Sequence, residues 1–233
     1  MSPPPYLLHV NSRPTQVSND TWEEWYKVEH LPDLYNAKTC ARATFYEEIG
    51  HPLAPNPDHP RKYLALYQTE IEELLNSDGY KNGVRRSSDM FEKAGANSAV
   101  NQDNGDFDAR YYSLWQEYDP KGTGERLSPH ILCVYMNPAD VDDFEKWYRE
   151  EHLGLLAKLP GYRRSLRYKI GSRTPLTKGE TQPFLAIHEV DDVSAFGSKE
   201  AEEANATPWT VKHIKESNPF IARAFKRISE QGY

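Results

Sequence analysis

The sequence predicts an α+β chain made of two β-α-β-β-α-β units packed sheet to sheet. Three observations carry that expectation. The stretch Trp25-Tyr26-Lys27-Val28-Glu29-His30-Leu31 returns as Trp147-Tyr148-Arg149-Glu150-Glu151-His152-Leu153, identical at five of seven positions. The copies lie 122 residues apart, about half of a 233-residue chain, the mark of a duplicated unit. Around each copy the apolar runs and helical stretches follow in the same order.

Residues 6–11 (YLLHVN) form a short apolar run after a proline-rich start and read as a strand. Asp20-Thr21-Trp22-Glu23 has capping-box spacing and starts a helix to about His30. Trp22, Tyr26 and His30, four apart, share one of its faces. Pro32 is expected to stop it, because a proline pushes the preceding residue out of helical geometry. Residues 41–48 read as a strand, and 51–60, with four prolines, as a loop. Residues 62–69 (KYLALYQT) alternate and read as the clearest strand of the first half. Short helices are expected at 71–76 and 84–96, an Asn-rich loop at 95–106 and an aromatic strand at 108–118. Residues 119–129 have the Pro, Gly, Thr and Ser composition of a connection. The first unit is therefore set at 1–119, a linker at 120–129 and the second unit at 130–233.

The second unit retraces the order. Strand 130–136 precedes helix 140–152, with Phe144, Tyr148 and His152 on one face. Pro160-Gly161 is a sharp stop before strand 163–170, and 171–182 is a loop. Strand 183–190 (PFLAIHEV) aligns with 62–69 through Leu64-Ala65 and Leu185-Ala186. Helices follow at 193–203 and 208–216, then a strand or helix at 220–228. This is the ferredoxin-like plan, which leaves one sheet face bare. An aromatic sheet face does not stay in water, so the two bare faces are expected to cover each other.

Composition narrows the function. The net charge is −7 with a pI near 5.7, and no long Lys/Arg block occurs, which argues against a nucleic-acid or anionic-membrane binder. Arg85-Arg86 and Arg163-Arg164 read as solvated faces. No apolar run approaches the roughly 18 residues that span a bilayer, and the start Met-Ser-Pro-Pro-Pro lacks a secretory pattern, so a cytoplasmic protein is the expectation. Cys40 and Cys133 fit no Cys-x-x-Cys spacing and read as reduced thiols. Aromatic residues reach 12%, including 15 Tyr and 5 Trp, which suits a large interface or a pocket for a flat ligand.

Tyr26-Glu29-His30-Leu31-Pro32, Tyr148-Glu151-His152-Leu153 and Leu159-Pro160-Gly161-Tyr162 resemble the EthD-like branch of the dimeric α+β barrel superfamily, here as a tandem repeat. The resemblance implies that the two units close a barrel within one chain. It also implies a small, cofactor-free enzyme: members include polyketide decarboxylases, aromatic cyclases, quinone-forming monooxygenases and lactone isomerases, and others have no known reaction. The implied partner is an aromatic or polyketide-derived small molecule. There are departures. Asn36-Ala37-Lys38-Thr39 replaces Pro-Gly in the first unit, so its turn is expected to differ. Gly154 stands near where the first unit has Pro32-Asp33, so the second helix is expected to run further.

The candidate catalytic residues are His30, His152, His188, Tyr46 and Tyr168. A His at a helix end, beside Glu29 or Glu151, is expected to have a raised pKa suited to general acid or base work; simple helix capping explains the same placement. His9 and His188 sit in alternating strands, where they face either a pocket or a half-polar core. Tyr46 and Tyr168, 122 apart, could donate to an oxyanion or fill the core. The candidate substrate-binding residues are Trp22, Tyr26, Tyr67, Tyr111, Trp115, Phe144 and Tyr148, and Tyr112 is a further possible wall. No metal motif, phosphate loop or nucleophile elbow is present. The sequence thus points to a cofactor-independent decarboxylase, cyclase or isomerase of secondary metabolism, pericyclic chemistry included. A cofactor-free aromatic monooxygenase and a non-catalytic or stress-associated binding barrel remain as alternatives, and a further homodimer is left open.

Overall fold

A computed structural model of the chain describes residues 3–50, 59–124 and 126–233. The proline-rich loop expected at 51–60 lies, through residue 58, outside them.

Strand β1 (Tyr6–Pro14) leads to helix α1 (Asn19–Trp25). Its cap is Ser18, whose Oγ accepts the Thr21 N–H at 3.2 Å, rather than Asp20, which lies in the first turn. The helix does not stop at Pro32. It widens into a π-helical turn, Tyr26–His30, and continues as α2 (Leu31–Asn36). The Leu31 N–H bonds the Tyr26 carbonyl five residues back. Pro32 then falls in the first turn of the next α segment, where a missing N–H and a fixed φ are tolerated.

Strands β2 (Arg42–Ile49) and β3 (Tyr63–Thr69) follow. The helix expected at 71–76 is one 3-10 turn, Leu74–Asn76, followed by α3 (Asp78–Gly83). Only α4 (Asp89–Lys93) forms within 84–96. Ser88 caps it by accepting the Met90 N–H, and Ser87 pairs with Val100 as a bridge, so 84–88 are not helical. A 3-10 turn, Asn101–Asn104, enters the long strand β4 (Gly105–Tyr118).

The second half has β5 (His130–Met136), α5 (Val141–Trp147), a second π turn (Tyr148–His152) and α6 (Leu153–Leu156). Helical structure thus continues past the His in both halves, and against expectation it is the first that runs further, six residues against four. The turn after each helix enters the left-handed region, with φ +66° at Gly161 and +54° at Lys38. The first turn therefore does bend as the second does, despite lacking Pro-Gly, and holding a lysine there costs about 1 kcal/mol. Strands β6 (Tyr162–Arg173) and β7 (Phe184–Val190), a 3-10 turn (Val193–Gly197), α7 (Lys199–Ala206) and α8 (Pro208–Glu216) precede β8 (Phe220–Gln231). Residues 220–228 are thus strand.

The eight strands close one antiparallel barrel in the order β1-β3-β2-β8-β5-β7-β6-β4. Each half supplies a ferredoxin-like four-stranded sheet, and the halves join at the β2–β8 and β4–β6 seams. The two faces do cover each other, and the sheet edges are hydrogen-bonded as well, which removes the exposed edges of two open sheets. The chain is an α+β protein with the dimeric α+β barrel architecture built intramolecularly.

Strand alternation sorts the core. Leu7, Leu64, Leu66, Tyr112, Leu166 and Phe225 meet inside the barrel. Leu8, Val10, Ala65, Tyr67 and Ala109 face outward beneath the first half's helices. Buried charge at the lumen is paired: Arg223 holds Glu48 at 2.7 Å and Asn11 at 2.6 Å, as charge removed from water requires.

Candidate functional site

Between the outer sheet face of the first half and its helices lies a cavity of about 390 Å³. Leu8, Val10 and Ala109 form its floor; Trp25, Tyr26 and His30 descend from the helix; Tyr67 rises from β3. Tyr80, Arg85, Arg86 and Asn101 complete it on the side of the short helices. The space exists because α3 and α4 are brief and 84–88 is extended. Glycines and asparagines in this region (Gly79, Asn82, Gly83, Gly95) disfavour longer helices. Gly83 also lets α3 approach α2: a Cβ there would sit 2.7 Å from that of Ala37.

The first π turn presents His30 to this space. Its ring stacks on Trp25 (centroids 4.5 Å apart, 20° between planes) and meets Tyr26 and Tyr67 edge-on at 5.2 and 6.3 Å. Burial pushes its pKa down to about 4, against the attraction of Asp33 and with repulsion from Arg86 and Arg85. The expected upward shift is overturned for two physical reasons. The helix continues to Asn36, so no negative helix end lies at His30, and the Glu29 carboxylate faces Arg85 at 3.5 Å. His30 is a neutral imidazole at physiological pH. Burial holds the Tyr67 phenol well above the ordinary tyrosine value. Three buried atoms in this wall, His30 Nδ1, Tyr67 OH and Asn101 Oδ1, have no hydrogen-bond partner among the described residues. Native folds leave few such groups.

The matching space in the second half is filled. It has about 70 Å³, lined among others by His152, His188, Tyr148 and Thr210. His152 stacks on Trp147 at 4.3 Å and meets Thr210 Oγ1 at 3.4 Å; Trp147 Nε1–H donates to the same oxygen at 3.0 Å. His188, aligned with Tyr67, has its Nδ1 2.7 Å from Ser165 Oγ. Burial pulls His152 well below its usual pKa and His188 down to about 3. Arg167, in the place of Phe45, lies 3.8 Å over the Tyr148 ring and pairs with Glu145 at 2.7 Å. Tyr26 instead stacks on Phe45, also at 3.8 Å.

The other sequence candidates lie elsewhere. Tyr46 and Tyr168 point into the barrel, on the sheet face away from the cavity, because their strand positions alternate inward. Trp22 is fully buried in the helix-sheet core, and Phe144 and Tyr148 occupy the equivalent core of the second half. The buried Tyr111 hydroxyl accepts the Leu75 N–H at 3.0 Å. Trp115 is half exposed, donates to Glu145 Oε2 at 2.6 Å and carries Lys169 over its ring. His9 spans the lumen to Tyr135 OH at 2.8 Å, and Tyr112 also packs inside. The structure thus brings Tyr26, His30 and Tyr67 together in the first half, and Tyr148, His152 and His188 in the second.

Sequence reasoning passed over Asn101 and Tyr80, and took Arg85-Arg86, which line the cavity, for a solvated face. The Asn-rich stretch and the Arg85-Arg86 pair were the available signals, and both resemble ordinary solvated loop. Cys40 and Cys133 are buried free thiols. Among the described residues, no cluster of three or more His, Cys, Asp or Glu is placed to hold a metal ion.

Fold and cavity together define a chain of dimeric α+β barrel architecture with a mostly apolar cavity on one half. No protein-family model matches the chain. It is 23% identical over 204 residues, covering 81% of this chain and 83% of the relative, to "Core atranone cluster (CAC) protein 1" of Stachybotrys chlorohalonatus. Among solved structures it resembles a provisionally named monooxygenase of Fusobacterium nucleatum (TM-score 0.52, 7% identity, 98% and 94% of the two chains). It also resembles an anthrone oxidase-like protein (TM-score 0.50, 11% identity, 97% and 92%). At these identities the structural likeness concerns the fold.

Proposed function

We propose that the chain is a cofactor-independent enzyme of secondary metabolism that turns over an aromatic or polyketide-like small molecule in the first-half cavity. The observation that carries this reading is the contrast in hydrogen bonding. His30 Nδ1 and Tyr67 OH are unpartnered in an enclosed wall, whereas His152 and His188 are bonded in a filled one. A buried polar group without a partner costs about 1–3 kcal/mol, and a substrate oxygen or hydroxyl supplies the partner. The name of the Stachybotrys relative supports secondary metabolism. The same reading takes the chain as two EthD-like repeats, 1–119 and 130–233, joined by a linker at 120–129. It takes the protein to act in the cytoplasm; among the described residues no helix is long and apolar enough to cross a membrane.

Tyr67, protonated through the physiological range, donates to a substrate oxygen as it gains enolate character. His30, neutral above about pH 4, takes a proton on one nitrogen and returns it elsewhere on the substrate. At about 4 its pKa makes it a weak base near neutral pH, so it holds the proton only transiently. Isomerisation, cyclisation and decarboxylation all need this pair of actions. A second reading, cofactor-free oxygenation, draws on the apolar floor of Leu8, Val10 and Ala109, against which a bound enolate would meet dioxygen with little competing water.

The test is to delete the gene, isolate the compound that accumulates and offer it to the purified protein. The expected outcome is conversion without oxygen uptake. Tyr67→Phe should lower turnover about 100-fold while equalling or exceeding the wild type in stability, because it removes an unpartnered hydroxyl. Uptake of one dioxygen per turnover would sink the non-oxidative reading, and tight binding without conversion would make the barrel a carrier.

A further inference from the structure

The charges around the cavity are one-sided. Among the described lining residues there is no Asp, Glu or Lys, and there are two arginines. Arg85 is committed: its guanidinium grips Asp33 through two bonds of 2.8 and 2.9 Å, with Glu29 at 3.5 Å. Its carbonyl accepts from Asn101 Nδ2 at 2.9 Å, so Arg85 fastens the 84–88 segment to α2. Arg86 is different. It lies over the Tyr80 ring at 4.4 Å and donates to the Tyr80 carbonyl at 3.3 Å, and among the described residues no carboxylate pairs with it. Its backbone is pinned, because its own carbonyl accepts the Asn101 N–H at 2.9 Å. An acidic protein of net charge −7 thus carries an unneutralised guanidinium, held against the Tyr80 ring, at the rim of a mostly apolar cavity.

We infer that the substrate of this cavity is an acid: an apolar, ring-bearing skeleton whose single carboxylate is held at the cavity rim by Arg86, while an oxygen at its other end reaches Tyr67 and His30. The inference rests on the reading of the cavity as the substrate site and adds the substrate's charge and orientation. A guanidinium offers a carboxylate charge-assisted bonds in a planar fork, and the Tyr80 ring beneath it helps fix that fork. The same contact narrows the reaction. A carboxylate held by a cation is stabilised as an anion and resists losing carbon dioxide, so the retained acid is a handle. Proton shift or ring closure at the far end is then the chemistry. Asn101 Oδ1, an unpartnered acceptor in the same wall, suits a substrate hydroxyl between the two ends.

The experiment compares two test ligands of equal shape, naphthoate and its neutral methyl ketone, acetonaphthone. Binding is measured by quenching of tryptophan fluorescence and by calorimetry, on wild type, Arg86→Gln and Tyr67→Phe. Arg86 is exposed, so its replacement leaves the fold intact, and an unchanged thermal midpoint checks this. The wild type is expected to prefer naphthoate about tenfold, with the preference shrinking as salt is raised. Arg86→Gln should abolish that preference and leave the ketone within about twofold. Tyr67→Phe should keep the preference. Equal affinity of wild type for both ligands, or a preference that survives in Arg86→Gln, overturns the inference alone. Failure of both ligands to bind the wild type overturns the cavity as a site for ring-bearing molecules, and the inference with it.

Discussion

The two halves share a backbone and a motif and differ in what surrounds them. Each has a Trp-Tyr-x-x-Glu-His-Leu stretch, each widens into a π turn between Tyr and His, and each stacks the His on the Trp. In the second half α7 and α8 lie over the motif, and α8 brings Thr210 to His152. Strong helix formers in Lys199–Ala206 and Pro208 at the first helical position build that cover. In the first half α3 and α4 are too short to do the same, and about 390 Å³ remain against about 70 Å³. The conserved geometry of the duplication therefore accounts for the fold. The candidate site arises where one copy lacks the partners that the other has.

That comparison is open to direct attack. The largest expected effect is an exchange of consequences between equivalent residues. His30→Ala should reduce turnover about 100- to 10,000-fold with little change in thermal midpoint. His152→Ala should destabilise by about 2–4 kcal/mol, since it opens a void beneath Trp147, yet leave turnover per folded molecule within about threefold. Chemical denaturation and kinetics on the purified variants measure both. Loss of turnover in the second variant only would invert the assignment of the halves. A smaller effect comes from adding volume. Leu8 pairs with Tyr67 and Leu132 with His188, so they are equivalent floor positions. Leu8→Phe has space to enter and should change stability by less than about 1 kcal/mol while blocking turnover. Leu132→Phe overfills its site and should cost about 1–3 kcal/mol. Equal costs would mean that the cavity volumes do not reflect the packing.

The fold was legible because its signals are local and doubled. The alternation in 62–69 and 183–190, the repeated motif and the Pro160-Gly161 stop each fix an element, and two copies check each other. The π turns were not legible. Pro32 follows the first, but Leu153, in the second half, makes the same bond with no proline beside it, so no local residue signal marks them. Lys38 in the left-handed region hid a turn that Gly161 announced. For the site, the motif pointed to Tyr26 and His30, and the alignment with His188 pointed to Tyr67. Arg86 and Asn101 escaped because a polar residue in a loop looks solvated until its backbone is seen to be pinned to a cavity wall. The direction of the His30 shift was misread for a related reason: a helix end favours the imidazolium, but this helix does not end there, and burial dominates.

The smallest expected effect concerns acid stability, and it weighs the halves against each other through their histidines. His9, His30, His152 and His188 all have pKa values lowered, chiefly by burial. The unfolded chain takes up protons as pH falls through about 6.5, while the folded chain resists until near each folded value. Over that window the unfolded state binds more protons. Stability is therefore fully present above about pH 6.5 and declines on acidification, until about pH 4 for the His30 contribution and about pH 3 for that of His188. Urea midpoints from about pH 7 down to about pH 4 should fall steadily. His188→Gln and His30→Gln should each flatten the slope, because each ring is held below its unfolded value. A midpoint that stays level across this range would show that the rings are reached by water in the folded state. A larger flattening from His30→Gln would mean that the first-half cavity is the drier of the two.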